Sequence, residues 1–467
     1  MNDHESYVGE ERPPDAAPPR RSPLLGIITG TISWAVIAAF VALSLIGGRI
    51  LSKKEAKADQ TSPADMDIQG RYLVGAAQMT GADKNSLLQQ LPAGDKASRG
   101  RAAVVHGELA GPKAALEKLT PPDDLSPTEQ ILLRLYKDYE RELWTGPGIT
   151  DQERHTLKNE LGWYGELALA PAGGSDKAAR ERVLEPASRT VFVLLGVTFG
   201  GISVAILGFF GLLIFGAMAA MGHVHSNMGR GGGRVAVWVE TFVVYMILFA
   251  VIGLGLSLIR KHVNEAALSG LAAILSLGAL LWPRIRGVSW REIRQAIGWT
   301  SGRGILREIA AGFATYIMMT PVMVIGFLIM MVLMHFLKGK PGFEQPSHPI
   351  VPLLIHSGWG TRLMVLLLAS VIAPIVEETM FRGVLYRHLR EATAKWAIAL
   401  SVFVSVLPVG FVFAAIHPQG LLGIPVLMGM SLSLNLGREW RGTLIPSMIA
   451  HGLSNGMVMC LTLLALA

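Results

Sequence analysis

Three clusters of ionisable and polar residues interrupt the otherwise apolar C-terminal third of the chain. The first is Ala373-Pro-Ile-Val-Glu377-Glu378-Thr-Met-Phe-Arg382-Gly. On a helix Glu378 and Arg382 share a face, with the acid N-terminal to the base, the favoured order for an ion pair. Glu377 points about 100° away. Arg382 is therefore expected to neutralise and orient Glu378, leaving Glu377 to titrate. A carboxylate in a low-dielectric site is the better general base at neutral pH. The second cluster is Phe413-Ala-Ala-Ile-His417-Pro418. Proline disfavours the helical conformation in the residue before it, so His417 is expected at a helix end, with Phe413 one turn below on the same face. The third is His451-Gly-Leu-Ser-Asn455. Its four-residue spacing sets both polar side chains on one face, where two donors can grip one developing oxyanion.

Each cluster alone also has a plainer account. An interfacial salt-bridge network explains Glu377, Glu378 and Arg382. A histidine at the membrane interface explains His417. Interhelical hydrogen bonding explains His451 and Asn455, since such side chains hold membrane helices together. What separates the readings is that all three clusters occur in one chain, in this order. Ionisable residues within spans are costly and mark functional sites by default.

The combination E-E-x-x-x-R, F-x-x-x-H and H-x-x-x-N resembles the CAAX-protease and bacteriocin-processing family of intramembrane endopeptidases, also called Abi or type II CAAX prenyl endopeptidase-like. The resemblance covers roughly residues 361–465. Glu377, Glu378, Arg382, Phe413, His417, His451 and Asn455 fill every position of the pattern, and Phe381-Arg382-Gly383 is also family-like. It implies an endopeptidase in which Glu377, helped by His417, activates a water. His451 and Asn455 then hold the tetrahedral oxyanion, and Glu377 or His417 protonates the leaving amine. The family is often treated as metal-dependent, and Glu377, His417 and His451 would then be three zinc ligands with an open fourth position. With no H-E-x-x-H helix, the metal-free glutamate mechanism is the reading taken, and zinc stays open. The implied partners are the bilayer and a membrane-embedded or lipidated peptide or protein substrate, prenylated or not, and no nucleic acid. The competing class is a non-catalytic membrane scaffold, immunity protein or transporter subunit on the same fold. The complete Glu377/His417/His451/Asn455 set favours the enzyme.

The elements that must hold these residues follow from composition. Of 467 residues 51% are hydrophobic and only 16% charged, against about 25% charged in soluble proteins. The charges gather in short breaks between apolar runs of about 20 residues, the length a helix needs to cross a bilayer. The net charge of +7 reflects arginine in short loops rather than a nucleic-acid surface. Cys460 is the only cysteine, which excludes intrachain disulfides and cysteine zinc sites.

The fold expected is all-α: a polytopic transmembrane helix bundle with a small helical soluble domain inserted. Residues 1–24 read as a disordered Pro-rich tail, and 25–48 as a transmembrane anchor too long for a signal peptide. Residues 50–187 read as the soluble helical domain, whose His106 and His155 are isolated surface histidines. Transmembrane helices fill 190–360, and 361–467 forms the catalytic unit. Spans are expected near 190–221 (one tilted helix, or a helix plus a re-entrant piece), 236–259, 264–283, 308–337, 361–380, 396–416, 419–436 and 443–465. One set of alternate breaks carries Arg230 and Arg234, Arg284 to Arg307, Arg382 to Lys395, and Arg438 and Arg441. The other holds only Arg260, Lys261, Lys338, Lys340 and Arg362. The arginine-rich set is expected in the cytoplasm, with the N-terminus, and the 50–187 domain outside. Arg49, Lys53, Lys54 and Lys57 argue the other way, but long domains cross regardless of charge. His223 and His225 read as solvated loop, and Glu240 as facing the bundle or interface.

Overall fold

Alternation of apolar runs with arginine-rich breaks yields nine helices, among the described residues, that are long and apolar enough to span a bilayer. The computed structural model describes residues 23–56, 63–81, 83–89, 91, 98–229, 234–259, 263–337 and 357–466. We number the nine spans in chain order: α1 Pro23–Ala56, α2 Lys177–Ala220, α3 Val235–Ser257, α4 Glu265–Ile285, α5 Ile305–Leu337, α6 Trp359–Ala392, α7 Ile398–Ala415, α8 Gly420–Arg441 and α9 Ile445–Leu466. Among the described residues 82% are helical and none is in a strand. It is an integral, multi-pass membrane protein. The tail expected over 1–24 falls, through residue 22, outside the described residues, as do Arg230, Arg260, Lys261, Lys338 and Lys340.

One expectation about the spans needs correction, and one open alternative is decided. The run near 190–221 takes the single-helix form, with no re-entrant piece. It is the end of α2, one helix of 44 residues, about 66 Å long at 1.5 Å per residue. The run near 361–380 does not stop at a cytoplasmic loop but continues to Ala392. Arg382, Arg387 and Arg390 are therefore helical and largely buried. Arg387 pairs with Glu391 at 2.5 Å and Arg390 with Glu439. Arg286 pairs with Glu240 at 3.0 Å and Arg441 with Glu308 at 2.7 Å. The arginines at this end of the bundle thus tie span ends together. Glu240 is buried in the bundle and also accepts from Trp282 Nε1 at 2.9 Å.

Glycine and proline set the helix crossings. Pro321 within α5 lacks an N–H for the carbonyl of Ile317, and Gly208 of α2 seats against that carbonyl, where any Cβ would collide. α9 approaches α6 in the same way, with Gly452 against the carbonyl of Ser370. This close approach brings the polar face of α9 onto α6.

Between α1 and α2, the helices Pro63–Thr80, Arg99–Ala110, Pro127–Glu140 and Asp151–Leu161 share an apolar core that includes Leu73, Val105, Leu132 and Tyr164. Ser126 with Glu129, and Thr150 with Glu153, form capping boxes that start two of these helices. Such caps contribute about 1 kcal/mol each. The core reaches Ala187 and Val191 near the start of α2. His155 is exposed, but His106 is half-buried, and burial pushes its pKa down. His223 and His225 are exposed.

Candidate active site

The site lies where α6, α7 and α9 meet. α6 departs from regular α geometry twice, winding as a π-helix over Leu368–Ile372 and again over Glu378–Leu385. Such wide turns are frequent at functional sites and re-aim the side chains that follow. The second begins at Glu378, directly after Glu377. The two adjacent carboxylates thereby enter different surroundings.

Glu378 and Arg382 are fully buried and pair at 2.9 Å. Arg382 donates through Nη2 to Ser431 Oγ on α8 at 3.0 Å, and its guanidinium lies 4.5 Å from the Phe413 ring. A desolvated cation–π contact of this kind contributes about 2 kcal/mol. Phe413 also packs edge-on to Phe381 at 5.1 Å, and Phe381 to Phe242 at 5.1 Å. This aromatic column fixes α7 against α6 and α3. At its top is His417, two residues beyond the end of α7, with its ring 4.2 Å from that of Phe413.

Hydrogen-bond partners set the two imidazole tautomers. His417 Nδ1 faces the carbonyl of Phe413. His451 Nδ1 lies 2.8 Å from Glu378 Oε1. Both partners are acceptors, so each Nδ1 carries the proton. Each Nε2 is turned to Glu377, at 3.6 Å for His417 and 3.7 Å for His451. These separations are just beyond hydrogen-bond length. Glu377 Oε2 has no hydrogen-bond partner, and the Glu377 side chain is 23% exposed while that of Glu378 is 0% exposed. The oxygen is buried between the two imidazoles, within ion-pair distance of both and hydrogen-bonded to neither.

Asn455 lies one turn beyond His451 on α9, but its amide is already engaged. It donates to the carbonyl of Ala369, in the first π stretch of α6, at 2.9 Å. One of its two N–H bonds remains for another acceptor. Glu377, His417 and His451 come together, yet no group of three or more His, Cys, Asp or Glu among the described residues is placed to hold a metal ion.

Two supporting residues escape a reading by motif. Ser431 accepts from Arg382, and Trp299 Nε1 donates to Thr379 Oγ1 at 3.0 Å, beside Glu377 and Glu378 in sequence. The only sequence signal for Ser431 is the polar series Ser431, Ser433 and Asn435 inside an apolar run, the composition of an interhelical contact.

Neither the curated proteins nor the solved structures contain a match to the chain. Residues 358–457 match the family model described as Type II CAAX prenyl endopeptidase Rce1-like. That range contains α6, α7, α8 and the polar half of α9, and with it each of the seven motif residues. The C-terminal helices of this membrane protein thus form a domain of the CAAX protease family.

Proposed function

We propose that the protein is an intramembrane endopeptidase that hydrolyses a peptide bond in a membrane-associated protein or peptide, using a water activated by Glu377 and His417. The observation that carries this reading is Glu377 Oε2, unpartnered between the Nε2 atoms of His417 and His451. Glu377 takes a proton from water, and the hydroxide attacks the scissile carbonyl carbon. The carbonyl π electrons move to oxygen. His451, after taking a proton from solvent on Nε2, with the Glu378 carboxylate balancing the imidazolium charge, donates a hydrogen bond to that oxyanion, joined by the second N–H of Asn455. Preorganised donors of this type contribute about 3–4 kcal/mol each to lowering the barrier. Collapse of the intermediate breaks the C–N bond, and the proton held by Glu377 or His417 passes to the leaving amine.

The arginine-rich ends of the spans support a topology with the N-terminus in the cytoplasm and residues 50–187 outside. The same reading makes 50–187 an insert for substrate or partner recognition, and 361–467 the catalytic unit. The test is hydrolysis of a membrane-reconstituted peptide, prenylated and unprenylated, by wild type and Glu377→Gln, with elemental analysis of the purified active protein. Cleavage by wild type alone supports the assignment. Equal cleavage by Glu377→Gln sinks it. Stoichiometric zinc, lost in His451→Ala, would replace the metal-free step by a zinc-dependent one. A pull-down with Glu377→Gln, followed by mass spectrometry of retained peptides, identifies the substrate.

A further inference from the structure

Away from the catalytic residues, two adjoining cavities open at the arginine-rich end of the bundle. The larger, about 290 Å³, is lined by Arg234, Trp238, Glu292, Gln295, Arg387 and Glu391, together with neighbouring backbone. The smaller, about 30 Å³, shares Arg387 and Glu391 and continues to Trp396. The lining comes from the start of α3, the short helix Trp290–Ile297 and the end of α6. Trp290, Trp299 and Trp396 are exposed on the same end. Exposed tryptophans gather at the level of lipid headgroups, so the cleft opens at that depth.

Among the described residues the larger cavity sets Arg234 and Arg387 against Glu292 and Glu391, Arg390 joins in the smaller one, and these charges are incompletely paired. Arg387 and Glu391 are both at least nine-tenths buried. Arg387 donates to Glu391 Oε1 at 2.5 Å and to the Gly229 carbonyl at 2.7 Å. Glu391 Oε1 also accepts from Trp238 Nε1 at 3.2 Å, but its Oε2 is buried without a partner. Behind the floor, Arg438 is 1% exposed and donates to the Ala296 carbonyl at 3.0 Å, while its Nε and Nη1 have none. Buried unpaired groups of both signs are expensive. A ligand that answers both carries an anion and an N–H donor a few bonds apart. A purely anionic headgroup would leave Glu391 Oε2 unanswered and would face two carboxylates. A trimethylammonium headgroup has no N–H to offer.

We propose that this cleft binds a phosphoethanolamine group, with the phosphate toward Arg234 and Arg387 and the primary ammonium on Glu391 Oε2. The group is carried both by a membrane lipid and by the free phosphomonoester, and the experiment separates these sources. Full-length protein, purified in detergent and stripped of lipid, is titrated with phosphatidylethanolamine, phosphatidylglycerol and phosphatidylcholine, and retention is read by native mass spectrometry. Wild type should retain phosphatidylethanolamine about tenfold more tightly than the other two, which corresponds to about 1.4 kcal/mol, the scale of one charge-assisted hydrogen bond. Glu391→Gln should remove that preference, and Arg234→Gln, at the rim, should weaken retention of all three lipids alike, since each carries the phosphate. Arg234→Gln keeps the test valid should Glu391→Gln melt early by stranding Arg387. Displacement by soluble phosphoethanolamine would show that the headgroup alone is recognised, and resistance to it that the lipid is the ligand. Equal retention of all three lipids by wild type, or retention of all three undiminished in Arg234→Gln, overturns the proposal.

Discussion

Asn455 donates its side-chain amide to the backbone carbonyl of Ala369 at 2.9 Å, a bond that ties α9 to the first π-wound turn of α6. Asn455→Ala should therefore lower the melting temperature as well as the turnover. It leaves a carbonyl unpaired at a buried residue, at a cost of about 1–3 kcal/mol. Thermal melts and peptide hydrolysis on the same detergent preparation check this. A rate loss with unchanged melting would show the tie to be unimportant and Asn455 to act on the oxyanion alone.

Arg382→Ala and Glu377→Gln should separate folding from chemistry. Arg382 and Glu378 are both 0% exposed in their side chains, and breaking a buried pair costs about 3–5 kcal/mol. Glu377 Oε2 makes no hydrogen bond that the substitution would break, so Glu377→Gln should melt near wild type while turnover disappears. Melting temperatures within a degree or two for Arg382→Ala and wild type would refute this division.

Ser431→Ala removes the acceptor of Arg382 Nη2 at a fully buried site. The expected cost is about 1–3 kcal/mol of stability, with kcat falling more than KM rises. Threonine, which keeps the hydroxyl, should restore most of both. No restoration by threonine would mean that the hydroxyl is not what matters.

Reporter fusions after residue 120 and after residue 295 test the sidedness. The first should report outside the cytoplasm and the second inside it. A cytoplasmic signal from the residue-120 fusion reverses the scheme.

Acid should weaken the helices between α1 and α2 through Glu129. Burial raises this carboxyl, but the Arg99 guanidinium at 2.8 Å and the Ser126 backbone N–H outweigh it and hold its pKa below the ordinary range. The folded pKa is thus lower than the unfolded one. The stabilisation is complete above the unfolded pKa, about 4.3, and is lost as pH falls through the folded value. The gap in melting temperature between wild type and Glu129→Gln should be widest at neutral pH, start to narrow near the unfolded pKa of about 4.3 and close only below the folded value. A gap that does not narrow as acid is added would remove the pair as its source.

Span positions were legible because a bilayer imposes one length and one polarity on every crossing helix. The run at 308–337 and the helix Ile305–Leu337 agree for that reason. Arg382 to Arg390 misled because an arginine paired with Glu378, Glu391 or Glu439 looks, in sequence, like one in a solvated loop. The spacing of Glu378 and Arg382 predicted their pairing. Nothing in the spacing showed that α6 would rewind as a π-helix, or that Asn455 would turn to Ala369. Both depend on how closely α9 approaches, which Gly452 permits but does not announce.

α2 runs unbroken from Lys177 to Ala220. Near its start it carries Ala187 and Val191 into the core of the helices between 63 and 168, and farther on Gly208 seats on α5. α5 in turn places Gly312 against Ile449, two residues from His451. A load applied to those first helices therefore reaches the helix that aims His451 through a strut and a bearing, with no loop in series. The strut has one compliant joint, Pro186, whose ring removes a rung of the hydrogen-bond ladder and whose carbonyl is taken by Thr190 Oγ1 at 2.9 Å. Bending stiffness at Pro186 is then the mechanical quantity that couples the two ends of the molecule.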